Sequence, residues 1–157
     1  MKIVPMTQDH ESGCGPLCVK IATEYFGMNV SLDNIKERSG NWSEEGMGNE
    51  DLVKVLKEFG LDVQIKNNST WGDLMRNNVS DKLIIVSFML RGYIGHFSIV
   101  DSITDKDITI LDTEKGVLEK IDKIKFMRIW FDYDDKWYPE KNTDIQLRWM
   151  AIVSNKK

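Results

Sequence analysis

Cys14 has the sequence surroundings of a reactive cysteine. It lies in the segment Gly13-Cys14-Gly15-Pro16, and apolar side chains at helical spacing predict a helix from Cys14 to Tyr25. A helix N-terminus presents unpaired N–H groups and the positive end of the dipole, which favour a thiolate. The flanking glycines leave room for a substrate carbonyl beside the sulfur. The pattern predicts a nucleophile, although a lone free cysteine is more often a buried packing residue.

His96 is the candidate base for this thiol. It is one of two histidines, and it opens the predicted strand His96–Ile103 after Gly92 and Gly95. A histidine at the start of a strand, beside a loop, can face a cleft and accept a proton from a cysteine. In isolation, a histidine in this position is more often a structural residue.

A carboxylate is expected beside the imidazole, and Asp112 is the main candidate. Asp112 ends the predicted strand Asp107–Asp112, which forms a hairpin with the strand of His96. If paired residue numbers sum to about 208 to 210, Asp112 lies opposite or diagonal to His96 on the same face. Asp101 is the rival, but its odd spacing from His96 turns it to the other face. A turn aspartate is an equally good interpretation of Asp112.

Gln8 precedes Cys14 by six residues and is a candidate oxyanion donor. Its side-chain amide and the backbone N–H of Cys14 can together hold a developing negative charge on oxygen. Spacing alone does not distinguish Gln8 from an exposed polar residue.

The elements around these residues indicate an α+β protein. Helices are predicted first and antiparallel strands later, which is typical of that class. The predicted helices are Cys14–Tyr25, a short one from Ser31 to Glu37 with Ser31 as its cap, Asn49–Phe59, Thr70–Asn78 and Ile121–Phe131. The predicted strands are Leu61–Ile65, Lys82–Leu90, His96–Ile103, Asp107–Asp112 and Trp149–Ser154. Residues Asp132–Asp144 are polar and are predicted to form a loop.

The composition excludes several classes of protein. The 157 residues fit a single domain, 1–157, and 41% hydrophobic residues can build a core. The net charge of −4 argues against nucleic-acid binding. No apolar run approaches the roughly 20 residues of a membrane-spanning helix, and no signal peptide is evident, so we expect a cytoplasmic protein. Cys14 and Cys18 are too few for a disulfide framework, and both are expected to be reduced.

Several stretches together resemble the bacteriocin-processing peptidases that cleave double-glycine leader peptides, and their stand-alone relatives. They lie in the order and at the approximate spacing of that family, over roughly residues 6 to 131. The matching stretches are 8–16 (QDHESGCGP), 25–27 (YFG), 46–52 (GMGNEDL), 59–61 (FGL), 95–101 (GHFSIVD) and 110–112 (ILD). A departure from the family pattern follows Asp112, where Thr113 replaces the usual proline.

The resemblance implies a papain-like cysteine peptidase, with a helical N-terminal half packed on a C-terminal antiparallel sheet. It implies Cys14 as nucleophile, His96 as base, Asp112 as orienting acid and Gln8 as oxyanion-hole side chain. The implied partner is a peptide or protein substrate, cleaved after small residues such as Gly-Gly. No cofactor and no metal are expected, and the sequence does not indicate an oligomeric state.

Three alternatives stay open at this point. An amidase, deamidase or acyltransferase would use the same residues on another bond or acceptor. A non-catalytic peptide-binding relative would retain the fold, although such relatives normally lose the cysteine or histidine. A zinc site made by Cys14, Cys18, His10 and His96 has enough ligands, but cysteines four apart on one helix are a poor match to zinc-site spacings.

Overall fold

The structure, a computed structural model, describes residues 2–133 and 138–157. Within these residues it contains six α-helices, eight strands and one short 3-10 helix, Asn142–Asp144. The helices are α1 (Cys14–Tyr25), α2 (Leu32–Arg38), α3 (Trp42–Glu45), α4 (Asn49–Glu58), α5 (Trp71–Asn77) and α6 (Lys123–Ile129). The strands are β1 (Leu61–Lys66), β2 (Lys82–Leu90), β3 (Ile94–Ile103), β4 (Asp107–Asp112), β5 (Val117–Asp122), β6 (Phe131–Tyr133), β7 (Ile145–Leu147) and β8 (Met150–Asn155).

Most helix starts follow from local capping chemistry. α1 begins at Cys14 as predicted, with Pro16 in its first turn, where a missing N–H costs no hydrogen bond. Ser31 caps α2 by accepting the N–H of Asn34 at 3.2 Å, which confirms the predicted cap. α5 begins with a capping box in which the side chains of Thr70 and Asp73 each accept the other residue's N–H.

Six strands form one antiparallel sheet in the order β1-β8-β2-β3-β4-β5. β2 is buried along most of its length and lies near the centre of this sheet. Its side chains alternate between two apolar clusters: Ile85 belongs to one, while Ile84 and Val86 belong to the other. This alternation shows that the sheet separates two cores, because successive strand residues face opposite sides.

Helices cover both faces of the sheet. α1 packs on β3 and against α2 and α4, while α4 packs on β1, and their apolar side chains fill the first core. α5 and α6 contribute Leu74 and Phe126 to the second core. The mixed helix and antiparallel-sheet architecture confirms the predicted α+β class. The helices are not confined to the N-terminal half, however, since α6 lies between β5 and β6.

The structure corrects the sequence prediction around residues 117–131. Ile121 belongs to β5, which was not predicted, and the helix after it is shorter than the predicted Ile121–Phe131. The reason is local: Asp122 caps α6 by accepting the N–H groups of Ile124 and Lys125. β5 was missed because it is an edge strand with mostly exposed residues, which lacks a clear apolar alternation.

The segment predicted as a loop, Asp132–Asp144, is partly ordered into secondary structure. β6 pairs with β7 in a separate two-stranded sheet, and the 3-10 helix lies between them. Residues 134–137 of that segment lie outside the described residues. Among the residues that are described, no helix is long and apolar enough to cross a lipid bilayer.

Candidate active site

The Cys14 sulfur lies where the start of α1 meets β3. The backbone of Phe97, the residue that follows His96, is close enough to the thiol to lower its pKa, and so are the backbone groups of Gly15 and of Cys14 itself. Only 9% of Cys14 is exposed, because α1 packs directly on β3. The fold therefore brings the sulfur near the residue next to the candidate base, although Cys14 and His96 are 82 positions apart in the chain.

Burial determines the protonation of this thiol. Desolvation raises the pKa of Cys14 above its usual value, and the negative charge of Asp132 adds to the rise. The backbone hydrogen bonds of Phe97, Gly15 and Cys14 act in the opposite direction but are the smaller effect. The sequence predicted a lowered pKa from the helix N-terminus, and that prediction was wrong in direction for the free protein. The raised pKa favours a neutral thiol in the free protein, although the neighbouring backbone groups favour the anion.

His96 is buried against the same end of β3. It lies opposite Phe88 of β2, whose ring meets the imidazole edge-on at a centroid distance of 5.7 Å. Only 7% of His96 is exposed, and this burial lowers its pKa to about 4. The charges of Glu114 and Asp112 oppose this shift without reversing it. His96 is consequently neutral at pH 7, the form that can accept a proton.

Asp112 does not supply a hydrogen bond to the imidazole. Its Oδ1 accepts the N–H groups of Glu114 and Lys115, each at 3.0 Å, and its Oδ2 lies 3.2 Å from the Lys115 ammonium. The β3–β4 register includes the pair Val100 and Ile110, whose numbers sum to the predicted 210, but an irregularity follows at this point of the ladder. Asp112 therefore acts on His96 through its charge. Its side-chain contacts are those of an aspartate in a turn, which was the second interpretation of this residue from the sequence.

A hydroxyl lies within hydrogen-bond distance of the imidazole. Thr113 Oγ1 lies 2.8 Å from His96 Nε2, and Thr113 is fully buried. The rival carboxylate, Asp101, accepts the backbone N–H groups of Lys2 and Ile3 on the other side of β3, as its spacing indicated. Sequence reasoning noted Thr113 only as a departure from the family pattern and looked for an acid in this role. The sequence feature that could have indicated this role for Thr113 was its position directly after Asp112.

Gln8 lies beside Thr113, at the end of β4. Its backbone N–H donates to the Thr113 carbonyl at 2.7 Å, and its side-chain Oε1 accepts the Thr113 hydroxyl at 2.5 Å. Gly116 makes this approach possible, since a Cβ there would collide with Thr7 Oγ1. The Nε2 group of Gln8 donates to the carbonyls of His10 and Glu11 at 2.9 and 3.1 Å. The side-chain NH2 group of Gln8, which was predicted to donate to an oxyanion, is thus directed to two backbone carbonyls.

The remaining candidate metal ligands do not converge on one point. His10 Nδ1 accepts the N–H of Ser12 at 3.0 Å, and its ring contacts Trp42 at 5.1 Å, while Cys18 is fully buried in the first core. Over residues 2–133 and 138–157, no three histidine, cysteine, aspartate or glutamate side chains are grouped as a metal site requires.

Two residues that the sequence did not single out lie against the glycines next to Cys14 and His96. Met47 covers Gly15, where a Cβ would lie 2.6 Å from the Met47 Cβ. Asp132 lies against Gly95, where a Cβ would lie 2.9 Å from its Oδ1, and it accepts the Ser87 hydroxyl at 2.6 Å. Both residues belong to segments distant in sequence from Cys14 and His96, so neither had a local signal.

The family was determined by comparison with known proteins. The model of the Peptidase C39 family matches residues 2–133. The chain belongs to the Peptidase C39 family. This confirms the resemblance seen in the sequence and makes the protein a cysteine-type peptidase. The comparison with curated protein sequences gave no match.

Solved structures support the same fold. One is a double glycine motif protease from an AMS/PCAT transporter, in complex with the leader peptide, with a TM-score of 0.74 and 19% identity. That match covers 99% of this chain and 93% of the other. A second is the peptidase domain of Streptococcus ComA, described as a bi-functional ABC transporter involved in a quorum sensing pathway, with a TM-score of 0.70, 18% identity and coverage of 99% and 98%. At such identities the likeness establishes a papain-like peptidase fold and leaves the roles of individual residues to the geometry.

Proposed function

We propose that this protein cleaves a peptide after a Gly-Gly pair in a leader segment, with Cys14 as nucleophile and His96 as base. The observation that carries the proposal is the packing of α1 on β3, because it places the start of α1, where Cys14 lies, beside the strand that carries His96. The similarity to a double glycine motif protease that was solved with its leader peptide supports this substrate class.

The reaction begins from a neutral pair. His96 accepts the Cys14 proton as the sulfur attacks the scissile carbonyl, and the backbone hydrogen bonds at the sulfur stabilise the charge that forms. The Cys14 N–H stabilises the oxyanion. Gln8 can assist if one of its amide hydrogens exchanges a backbone carbonyl for the oxyanion. His96 then protonates the leaving amine, and water hydrolyses the thioester to release the acid and regenerate the thiol.

Asp112 has an electrostatic role in this proposal. Its charge raises the pKa of His96, so it favours the imidazolium that forms after proton transfer. Its backbone and lysine partners fix the carboxylate in place without a direct bond to the ring.

Two side chains lie against the glycines that neighbour the proposed catalytic residues. Met47 lies over Gly15, next to the nucleophile, and Asp132 lies over Gly95, next to the base. Neither glycine has room for a Cβ without a shift of its neighbour. Met47 and Asp132 are therefore the side chains nearest to the neighbours of Cys14 and His96 that could contact a substrate at the scissile bond.

The test uses a synthetic peptide with a Gly-Gly pair between a leader-like helix and a short cargo, analysed by mass spectrometry. We expect the wild-type protein to produce two fragments by cleavage after the second glycine. Cys14→Ala should produce no fragments, and the wild type should cleave much less of a peptide in which that glycine is replaced by valine. Cys18→Ala is the matched control and should still cleave, because Cys18 is fully buried in the first core. Cleavage by Cys14→Ala would overturn the proposal.

The same experiment separates peptidase from the related activities. Deamidation would increase the mass of the intact peptide by about 1 Da, and acyl transfer would add the mass of an acceptor amine. Detection of either product without cleavage fragments would show that the protein does not act as a peptidase on this peptide. We further propose that residues 1–157 act as one domain, since elements from both halves cover the sheet. A cytoplasmic location stays a prediction from the sequence.

A further inference from the structure

The orientation of the Gln8 side chain is determined by two backbone carbonyls. One side of the amide faces the carbonyl oxygens of His10 and Glu11 at 2.9 and 3.1 Å. Only the NH2 group fits there, because the amide oxygen would face two further acceptors without a hydrogen between them. The Gln8 oxygen, Oε1, therefore faces Thr113, where it can only accept.

This orientation determines the position of the Thr113 hydrogen. The hydroxyl carries a single hydrogen and lies 2.5 Å from Gln8 Oε1, which needs a donor. The same hydroxyl oxygen lies 2.8 Å from His96 Nε2. Since its one hydrogen is used on Gln8, the hydroxyl must accept from the imidazole. Nε2 of His96 consequently carries a hydrogen, and in the neutral ring the lone pair is at Nδ1.

We propose that Thr113 is a positioning residue that holds His96 in the Nε2–H tautomer and so makes Nδ1 the atom that takes and returns the proton. The assignment of a role in proton transfer rests on the proposed peptidase function, whereas the tautomer is a property of the free protein. The Nε2–H bond to Thr113 persists in the imidazolium, so the ring keeps its orientation throughout the cycle. A hydroxyl thus holds the ring where the sequence led us to expect a carboxylate.

Valine at position 113 isolates the hydroxyl. Thr113 is fully buried, and its backbone carbonyl accepts the Gln8 N–H whatever the side chain, so Thr113→Val keeps the shape and the backbone bond. Thr113→Ser keeps the hydroxyl. Thr23→Val is the matched control, because Thr23 is also fully buried and its hydroxyl donates to the helix carbonyl of Lys20.

The direct test is nitrogen NMR of the full chain labelled with 15N-histidine at pH 7. The chain has only two histidines, so His10→Ala assigns the His96 signals without further labelling. We expect His96 to show a protonated Nε2 and an unprotonated Nδ1 in the wild type and in Thr113→Ser. In Thr113→Val, the Nδ1–H tautomer should become populated. A wild-type His96 with the hydrogen on Nδ1 would overturn the proposal without any variant or substrate.

Kinetics with the Gly-Gly peptide provide the second readout. Loss of the hydrogen bond in Thr113→Val should lower kcat roughly tenfold with little change in KM, while Thr113→Ser and Thr23→Val stay close to wild type. An unchanged tautomer together with an unchanged kcat in folded Thr113→Val would refute the positioning role. If no peptide is cleaved by wild type, the proposed function fails while the NMR result still decides the tautomer.

Discussion

The Cys14 end and the His96 end of the site differ in what surrounds the reactive atom. Cys14 lies in the first apolar core, and the groups that favour its anion are backbone N–H groups. His96 is equally buried, but its Nε2 is connected through Thr113 to the side chain of Gln8 and from there to the backbone. Burial is therefore the largest influence on the pKa of both residues, while side-chain hydrogen bonds set the orientation of only one.

The difference shows which part of such a site tolerates local change. The nucleophile depends on a helix start that a contiguous segment encodes, and its hydrogen-bonding groups survive most substitutions. The base depends on Gln8 and Thr113, which are 105 residues apart and belong to different elements. We expect side-chain substitutions at the His96 end to change proton transfer more readily than those around the sulfur.

Among substitutions in this chain, His96→Ala tests the comparison between the Cys14 end and the His96 end of the site most strongly. Loss of the base should lower kcat roughly 100 to 10,000-fold, because general base catalysis typically contributes that factor. Peptide cleavage followed by mass spectrometry measures it. His10→Ala is the matched control and should stay near wild type, since the His10 ring contacts Trp42 and Ser12 outside the reactive pair. Equal losses in the two variants would indicate general destabilisation.

The next largest effect concerns stability in acid. The pKa of His96 is lowered to about 4 in the folded protein, and an unfolded histidine titrates at about 6.5. Between these values the unfolded chain binds more protons, so stability is fully present above pH 6.5 and falls as the pH decreases to about 4. The loss amounts to about 3 kcal/mol. Denaturant unfolding across this range should show the slope in wild type.

His96→Asn sharpens the acid-stability test. Asparagine does not titrate, so the part of the slope between pH 6.5 and 4 that belongs to His96 should disappear. His10→Ala should keep that slope. An unchanged slope in His96→Asn would show that the imidazole is not held neutral by burial, contrary to the comparison of the two ends of the site.

The smallest expected effect is that of Asp112→Asn. The amide oxygen can still accept the N–H groups of Glu114 and Lys115, so the substitution removes the negative charge and the ion pair with the Lys115 ammonium. Because that charge raises the pKa of His96, its removal should lower this pKa further and move the acid limb of the kcat/KM profile to lower pH. We expect a loss in kcat of less than about tenfold. A loss of about 10,000-fold would indicate a carboxylate that orients the imidazole directly.

The sequence was sufficient for the α+β class, the family and most central elements, because capping residues and apolar alternation are local signals. Ser31 and the helix start at Cys14 are examples, and both predictions were confirmed. β5 was missed because an exposed edge strand has little alternation to detect. The catalytic roles of Cys14, His96, Asp112 and Gln8 stay predictions.

Two features of the site could not be obtained from sequence for physical reasons. The direction of the Cys14 pKa shift depends on how much solvent the packing of α1 on β3 excludes, and no local pattern reports this. The Thr113 contact depends on the details of the β3–β4 register near an irregularity in the ladder. Pairing arithmetic placed Asp112 near His96, but it could not resolve which neighbouring residue reaches the ring.

Titration of the wild-type protein with iodoacetamide tests the central claim most directly, because it requires no substitution. At each extent of reaction, mass spectrometry gives the fraction of Cys14 and of Cys18 that is alkylated, and the same sample is assayed for peptide cleavage. We predict that activity falls in proportion to Cys14 alkylation and reaches zero at one label per chain, with Cys18 unmodified. Full cleavage activity in protein whose Cys14 is completely alkylated would contradict the account.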